Sequence, residues 1–425
     1  MERKKTILAL RLLCALTGAF IAICVSGCVS ALVKQSEFYK ARLARKPVER
    51  KVVNEGWVEK IGPGTNEITV LYLRGTSYEM GFQQGKLLKD ELKDSLDKAL
   101  GCCYEYVGKE LKLPLVAKPI TDFLLDEAYR RMTPYIPNDD KEEMQGLADG
   151  SGIPLRQIHR LHALPSLTET SCSAIAAFGK ATTDGNLYQL RILDYIMELG
   201  IQDHPTITLY QPNEGNHFVN IGWAGFIGLV SGMNQEGLAI SEMGYGGPGD
   251  NQPGIPTPPP EETLEGIPMI FLTKKVLRYA ANVEQATGII KSADKTNYYA
   301  YVIGDGITET GAPQVRGYIS TSRFCQIYEA NDPDYPIPAL QDVVYGSHYN
   351  EKCYQLLKEH YGQIEPSLIM EKIAPTISMQ GNLQCVIYDP KNLRFWVANA
   401  KGLKGRACEQ DYVLFDFRKA LTLFK

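Results

Sequence analysis

A cysteine, an arginine and an aspartate lie close together in a segment whose pattern predicts a β-hairpin. Cys172 opens a run of small and apolar residues, an Asp-Gly pair at 184–185 predicts a tight turn, and residues 187–195 have the composition of a returning strand. Such a hairpin would bring Arg191 and Asp194 alongside Cys172. A guanidinium beside a thiol favours the thiolate, and a nearby carboxylate can orient a cationic group. The three residues could therefore form most of a nucleophilic site.

A nucleophilic thiol needs a proton acceptor, and the sequence offers two kinds. One is histidine, and sequence distance excludes none of the six, although none sits in a recognisable catalytic signature. These are His159, His162, His204, His217, His348 and His360. The other is an α-amine, whose pKa of about 8 is close to the value of about 8.5 for cysteine. Cys172 would gain an α-amine if its own thiol attacked the preceding carbonyl, so that water then opened the thioester and the Ser171–Cys172 bond was cut.

Several short motifs occur in an order that is typical of a known family, and ordered motifs are more specific than any single one. They are Tyr78–Gly85 (YEMGFQQG), Gly146–Gly150 (GLADG), the Cys172 segment, Ala224–Gly228 (AGFIG), Gly232–Leu238 (GMNQEGL) and Asn382–Pro390 (NLQCVIYDP). From about residue 70 onward, the chain resembles the acyl-CoA:6-aminopenicillanate acyltransferase group of self-processing N-terminal nucleophile hydrolases. Bile-salt hydrolases, penicillin V acylases and acid ceramidase are more distant relatives of that group.

The resemblance implies catalytic roles for five residues. Cys172 matches the nucleophile, and Arg191 and Asp194 match the polar pair that follows it. Asn234 matches an oxyanion-hole asparagine, and Asn297 resembles a second family asparagine near the same centre. Loss of one oxyanion-hole donor costs on the order of 3 kcal/mol of transition-state stabilisation in comparable enzymes.

Each of these residues also has a structural interpretation. A cysteine in an apolar strand is often a small core residue, and an arginine with an aspartate can form an ion pair at a strand end. Asn234 could belong to a tight turn, which is compatible with an oxyanion role, and Asn297 could be a polar residue at the start of a strand. Two positions depart from the family pattern. Ser171 stands where the family often has glycine, and Arg323 is the nearest match to a late family arginine.

The resemblance implies an α+β fold, the αββα four-layer sandwich of N-terminal nucleophile hydrolases, in which two antiparallel sheets lie between helical layers. The sequence pattern predicts a helical N-terminal lead-in over 79–160 and mainly strands after Cys172. A capping box from Thr76 to Glu79 should begin the first helix, and residues 266–292 predict another helix. The proline-rich residues 246–268 predict a surface loop, either a lid or an inert insertion.

The amino terminus predicts export and lipidation. Basic residues precede the apolar run 12–25, and the sequence VSGC that ends at Cys28 is typical of a lipoprotein signal peptide over residues 1–27. Cys28 would carry a diacylglyceryl group, and the chain would be lipid-anchored in the bacterial cell envelope. An uncleaved membrane anchor is the alternative. Residues 28–56 would be a tether whose basic side chains lie near anionic headgroups, or a solvated spacer.

After the tether we expect one compact domain made of two parts. Residues 57–171 would form the helical, propeptide-like α chain and residues 172–425 the catalytic β chain, and the two would stay associated after self-cleavage. Seven of the ten cysteines remain after removal of the two in the signal peptide and Cys28, so at least one thiol should be free. The sequence has no metal-ligand spacing and no GxGxxG or Walker motif, which argues against a metal or other cofactor. Its net charge of −4 gives no general bias toward nucleic acid.

These observations predict a lipid-anchored enzyme that hydrolyses linear amide C–N bonds, or transfers the acyl group, in small-molecule N-acyl amides. One alternative is a lipid amidase or esterase, similar to ceramidases or phospholipase B, that uses the same nucleophile. A second alternative is a catalytically inactive lipoprotein that kept the fold as a binding module.

Overall fold

The computed structural model describes residues 27–43, 52–168, 172–244, 263–296, 299–322, 325–334 and 337–424. Its strands are β1 (Trp57–Ile61), β2 (Ile68–Gly75), β3 (Ser173–Gly179), β4 (Gly185–Asp194), β5 (Pro205–Pro212), β6 (Phe218–Trp223), β7 (Ser231–Asn234), β8 (Leu238–Gly244), β9 (Tyr299–Asp305), β10 (Gln314–Ser320), β11 (Cys325–Glu329), β12 (Val343–Gly346), β13 (Asn382–Asp389), β14 (Arg394–Asn399) and β15 (Val413–Asp416). Most of them lie after Cys172, as the sequence pattern predicts.

The main helices of the described residues fall into two groups. The first precedes Cys172 and consists of α1 (Gly27–Leu43), α2 (Ser77–Leu87), α3 (Lys89–Leu111), α4 (Pro114–Met132), α5 (Asn138–Ser151) and α6 (Leu155–Ala163). The second consists of α7 (Met269–Tyr279), α8 (Val283–Ser292), α9 (Asn350–Glu359), α10 (Pro366–Leu368), α11 (Ala374–Ile377) and α12 (Phe417–Leu421), with a π-helical turn (Ile369–Ile373) between α10 and α11. None of the helices in the described ranges is both long enough and apolar enough to cross a bilayer.

The strands form two sheets. The larger has the order β1-β2-β5-β6-β7-β8-β9-β10-β11, and the smaller has the order β12-β3-β4-β13-β14-β15. Every neighbouring pair is antiparallel except β2 and β5, which are parallel. The expectation of purely antiparallel sheets was wrong at this pair, because helices α2–α6 and the β3–β4 hairpin intervene and return the chain in its original direction.

The sheets pack face to face between helical layers. Val70 and Ile207 of the larger sheet share an apolar cluster with Val386 and Phe395 of the smaller sheet. The other face of the smaller sheet packs against α9 and the helical turns that follow it, and the other face of the larger sheet packs against the helices of the lead-in and α7–α8. The αββα sandwich is therefore confirmed.

The lead-in begins as the sequence predicts. The Thr76 side chain accepts a hydrogen bond from the Glu79 backbone, and the Glu79 carboxylate accepts one from the Thr76 backbone, so the capping box begins α2. Helix α2 packs closely on α5 at glycines. A Cβ atom on Gly146 would lie 2.0 Å from the carbonyl oxygen of Tyr78, so only glycine fits at this contact.

The predicted helix over 266–292 is instead two helices, α7 and α8. Ala280, between them, has extended backbone, and the Asn282 side chain accepts a hydrogen bond from the Gln285 backbone as the N-cap of α8. An asparagine is a strong N-cap, so at this position it begins a new helix and does not continue the old one. The break places the carboxyl end of α7 beside strand β7, where it contacts Asn234.

Candidate active site

The β3–β4 hairpin places Cys172 at the head of a buried strand. Strands β3 and β4 pair antiparallel with Ala174 opposite Arg191, and Cys172 lies two residues before Ala174. The thiol is buried. Arg191 follows the turn on the returning strand, and its Nη2 donates to the Cys172 Sγ over 3.8 Å. The hairpin therefore brings these two residues together as the sequence predicts.

A buried carboxylate completes this contact. The same Nη2 atom of Arg191 lies 2.9 Å from Oε2 of Glu242, on strand β8 of the other sheet. The two side chains are 0% and 4% exposed, so the ion pair is shielded from water. Nε and Nη1 of Arg191 have no hydrogen-bond acceptor among the described residues. One nitrogen of the guanidinium thus contacts both the thiol and the carboxylate, and the N–H groups on the other two nitrogens have no acceptor among the described residues.

Glu242 was not predicted from the sequence. It is a charged residue in the otherwise apolar and small-residue strand LAISEMG, and a charge in a buried strand usually has a partner. That signal could have marked Glu242 as a residue of interest. It could not have named Arg191 as the partner, because the pairing of the two sheets is a long-range feature.

The thiol of Cys172 is protonated at neutral pH in the uncleaved chain. Burial raises its pKa to about 11, and the carboxylates of Glu242 and Asp194 act in the same direction. The Arg191 guanidinium lowers the pKa, as expected from the sequence, but it does not offset burial. Burial also raises the pKa of Glu242, while Arg191 lowers it.

Asp194 lies at the end of β4 and is buried. Its Oδ1 accepts a hydrogen bond of 3.1 Å from the backbone N–H of Met379. A backbone hydrogen bond from Asp194 to Cys172 lowers the pKa of the thiol. Asp194 is therefore near the thiol and is itself held by the segment that leads into β13.

Asn234 ends β7, and its side-chain amide is fully engaged in local structure. Nδ2 donates to the carbonyl oxygens of Leu277 and Ala280, at 2.9 and 2.7 Å, and so binds the carboxyl end of α7. Oδ1 accepts from the backbone N–H groups of Glu236 and Leu238. The turn that the sequence indicates is therefore present, and it lies at the opposite end of the β7–β8 pair from Glu242, the partner of Arg191.

An apolar cavity opens beside Cys172 and encloses about 790 Å³ of empty space, its mouth included. The lead-in supplies one wall and the chain after Cys172 supplies the other. The lining residues are Ser95, Ala99, Leu161, Leu164, Pro165 and Thr168 from the lead-in, with Cys172, Leu193, Tyr195, Leu199, Ile201, Trp223, Ala224, Phe226, Val230, Glu242, Gly244, Met269 and Tyr299.

No histidine, lysine or arginine is among the described residues that line this cavity. His162, the nearest in sequence to Cys172, is fixed as a structural residue. Its Nδ1 is 2.8 Å from the Ile158 carbonyl oxygen, and its Nε2 accepts from the Ile227 backbone N–H over 3.0 Å. Burial lowers its pKa to about 4, so it stays neutral and has no free nitrogen with which to take a proton.

Three predicted positions lie outside the described residues, namely Ser171, Asn297 and Arg323. Residues 1–26 of the predicted signal peptide and most of the proline-rich segment also lie outside them. Cys28 falls in the first turn of α1. All seven described cysteines whose side chains are given are free thiols, and Cys172 is one of them. No group of three or more His, Cys, Asp or Glu residues in the described ranges is arranged to hold a metal ion.

The sequence model of the acyl-coenzyme A:6-aminopenicillanic acid acyl-transferase family matches residues 184–335, a segment that contains Arg191, Asp194 and Asn234 and begins after Cys172. This segment of the chain is therefore similar to that family. The acyl-transferase family assignment confirms the resemblance seen in the ordered motifs. The family is described as one of acyl-transferases, which supports the coarse expectation of an acyltransferase or amidohydrolase.

Individual relatives extend the comparison over most of the chain. Protein dcd1A of Dictyostelium discoideum is 29% identical over 387 residues, which cover 83% of each chain. The β-alanyl-dopamine/carcinine hydrolase of Drosophila melanogaster is 27% identical over 256 residues, or 55% of this chain and 60% of that protein. Among solved structures, a conjugated bile acid hydrolase from Clostridium perfringens aligns at 12% identity with a TM-score of 0.40, covering 58% of this chain and 93% of that one.

Proposed function

We propose that this protein is a member of the acyl-transferase family that hydrolyses linear N-acyl amides, or transfers their acyl group, with Cys172 as an N-terminal nucleophile. One observation carries the proposal. The sulfur of Cys172 contacts the guanidinium of Arg191 on one side and lines an apolar cavity on the other. A substrate whose acyl group fills that cavity would present its carbonyl carbon to the sulfur.

The electrostatics of the uncleaved chain favour a base that is created by cleavage. With a pKa of about 11 the thiol is protonated in the intact chain, and no histidine is among the described residues that line the cavity. Cutting the Ser171–Cys172 bond would release an α-amine on the same residue, and the pKa of that amine, about 8, suits proton transfer near neutral pH. The thiol would make this cut itself by attacking the Ser171 carbonyl carbon, with its proton passing to the Cys172 nitrogen as the C–N bond breaks. Water would then open the resulting thioester, which frees the Ser171 carboxylate and restores the thiol.

In the proposed reaction the sulfur attacks the substrate carbonyl carbon while the thiol proton moves to the α-amine. The α-amine then protonates the leaving nitrogen, the C–N bond breaks, and the acyl group remains on sulfur as a thioester. A water molecule, or an acceptor amine, attacks the thioester and gives its proton to the α-amine. The acyl product leaves, and the thiol is restored.

Arg191, Asp194 and Glu242 would position and tune the sulfur. Arg191 would hold the sulfur and stabilise its anionic form, and Glu242 would fix the guanidinium through the buried ion pair. Asp194 would orient the new α-amine. Asn234 and Asn297 are proposed as oxyanion donors on the strength of the family resemblance, and for Asn234 this requires that Nδ2 releases one of the carbonyls that it binds in the uncleaved chain.

The cavity lining supports an apolar acyl group. Most of its surface is contributed by aliphatic and aromatic side chains, and a carboxylate of an acyl chain would meet no cationic side chain in the described lining. The same observation favours the second candidate, a lipid amidase or esterase that acts on long acyl chains. A binding module without turnover would hold the same ligands but form no thioester.

The two cleaved chains should remain together, because both line the cavity and share one apolar core. We keep the proposed parts 1–27 as signal peptide, 28–56 as tether, 57–171 as α chain and 172–425 as β chain, with the α1 portion of the tether packed on the lead-in. We also propose that Cys28 carries the lipid and that the protein is anchored in the bacterial cell envelope. Metabolic labelling with a radioactive or alkyne-bearing fatty acid should mark the wild type and leave Cys28→Ala unlabelled.

The activity is tested with a panel of N-acyl amides whose acyl chains vary from acetyl to palmitoyl, together with the matching esters. Purified protein should release the amine, with the highest kcat/KM for apolar acyl groups, and a rapid acid quench should leave a mass adduct of the acyl group on Cys172. Cys172→Ala should abolish both signals. Turnover of these substrates by Cys172→Ala would overturn the assignment, and ligand binding without turnover by the wild type would favour the binding module.

A further inference from the structure

An exposed apolar cluster lies at one end of the helical lead-in, away from the cavity lining. We call it the amino-terminal apolar surface, and its residues are Leu32 and Val33 of α1 with Leu113, Leu115 and Val116 at the start of α4. Leu115 is 95% exposed and Leu113 is 59% exposed. Single apolar residues on a surface need no explanation, but a group on two neighbouring helices indicates contact with another apolar phase.

The two helices that carry this surface run in the same direction. The Gln35 side chain donates to the carbonyl oxygen of Phe123 over 3.0 Å, and one turn later the Tyr39 hydroxyl donates to Asp126 over 3.3 Å. Residue numbers therefore increase in the same direction along α1 and α4, which means that the two helices are parallel. The amino-terminal ends of both helices lie at the same end of the pair.

Position 28 lies at that end. An α-helix rises about 1.5 Å per residue, so Cys28 precedes Gln35 by about 10 Å, and Leu115 precedes Phe123 by about 12 Å. Cys28 and Leu115 are thus at nearly the same height along the helix pair. A membrane anchor that enters at Cys28, whether an attached lipid or an uncleaved leader, would bring the amino-terminal apolar surface to the bilayer.

Helix α1 is held firmly enough to transmit this orientation to the domain. Tyr39 is buried, and the Arg156 guanidinium lies 4.3 Å from the centre of its ring. Arg156 and Arg160 both pair with the buried carboxylate of Asp126, at 2.5 and 2.7 Å. This network connects α1 to α4 and α6, so α1 is part of the folded lead-in.

Exposed lysines border the apolar residues. Lys34 is on α1 and Lys112 directly follows α3, while Lys118, on the first turns of α4, is paired with Asp122 at 3.3 Å. An apolar group bordered by lysines is the composition expected where a protein meets an anionic bilayer, since apolar side chains enter the interface and lysines reach the headgroups. We propose that the amino-terminal apolar surface contacts the lipid bilayer and fixes the domain against it at this end. This contact is independent of the catalytic activity of Cys172.

The test places a fluorescent reporter on the surface of the full chain. The two variants are Leu115→Trp and the control Leu403→Trp, whose position is 64% exposed in another part of the molecule. Both proteins are purified from membranes and reconstituted into vesicles of 70% zwitterionic and 30% anionic phospholipid. The emission of the added tryptophan is obtained as the difference from the parent protein. It is then measured with phospholipids brominated on their acyl chains and, separately, with acrylamide in the water phase.

We expect brominated lipid to quench the emission of Leu115→Trp at least twofold and to leave Leu403→Trp unchanged, whereas acrylamide should quench mainly Leu403→Trp. If acrylamide quenches both variants equally and brominated lipid quenches neither, the surface faces water and the inference fails. If Leu115→Trp is shielded from both quenchers, another protein or a second copy covers the surface, and the inference also fails.

Discussion

Replacing Glu242 with glutamine should lower the stability of the protein and make the Cys172 thiol more acidic, because both properties depend on the ion pair of Glu242 with Arg191. The pair joins side chains that are 0% and 4% exposed at 2.9 Å. Removal of one partner leaves a buried guanidinium without its counter-charge, which in comparable cases costs about 3–5 kcal/mol. Glutamine keeps the shape of the side chain, so the loss comes from charge and not from a cavity. Glu242→Gln should therefore lower the free energy of unfolding by about that amount, measured by urea denaturation.

The same substitution should make the thiol of Cys172 more acidic. The Glu242 carboxylate is one of the groups that raise the pKa of Cys172, and its removal leaves Arg191 as the main nearby charge. The pH dependence of alkylation by iodoacetamide should therefore shift to lower pH. Trypsin cuts after Arg160 and Lys180, and Cys172 is the one cysteine in the resulting peptide. This peptide spans the Ser171–Cys172 bond, so its mass spectrum reports alkylation only of chains in which that bond is intact.

Glu284→Gln is the matched control, because it removes a carboxylate that also pairs with an arginine but is 76% exposed. An exposed pair contributes little, so this variant should stay within about 0.5 kcal/mol of the parent with unchanged alkylation. The reasoning is refuted if Glu242→Gln is as stable as Glu284→Gln and its alkylation profile does not move.

Three further predictions concern the scaffold and the pH response. Burial raises the pKa of Asp305 to about 6, so its contribution to stability is present below about pH 4 and is lost as the pH rises toward 6. Asp305→Asn should therefore flatten the decline in the free energy of unfolding between these pH values. An unchanged pH profile of denaturation would contradict this prediction. Gly146→Ala should lower the melting temperature markedly, because its Cβ would lie 2.0 Å from the carbonyl oxygen of Tyr78. Gly101→Ala is the control and should not lower it, because a Cβ at Gly101 would meet no atom within 4 Å. Equal melting temperatures for the two variants would argue against the close contact between α2 and α5. Asn234→Ala should cost roughly 3 kcal/mol of stability, because four backbone groups, three of them in buried hydrogen bonds, lose a partner. An additional fall in kcat in the folded fraction would support the oxyanion role, and unchanged kcat would oppose it.

The sequence was most informative where local chemistry decides the structure. The capping box at Thr76 is made by residues three positions apart, and the β3–β4 hairpin follows from one turn signal between two apolar runs. Because a hairpin fixes the register of its own strands, the proximity of Arg191 to Cys172 could be predicted without knowledge of the rest of the fold.

Long-range packing decided what the sequence could not predict. Glu242 reaches Arg191 from the other sheet, and the amide of Asn234 binds carbonyls at the end of α7. The pKa of Cys172 was expected to fall because of its arginine neighbour, but burial, which depends on the whole surrounding fold, raises it. The cavity wall from the lead-in likewise depends on how α3 and α6 pack, and no short motif records that arrangement.

The most direct test of the central claim is the amino-terminal sequence and intact mass of an active preparation. We predict a fragment that begins at Cys172 and contains the last 254 residues of the 425-residue chain, together with an α chain that co-purifies under native conditions. Cys172→Ala should remain whole and inactive. Full activity in a preparation whose Ser171–Cys172 bond is intact would contradict the account.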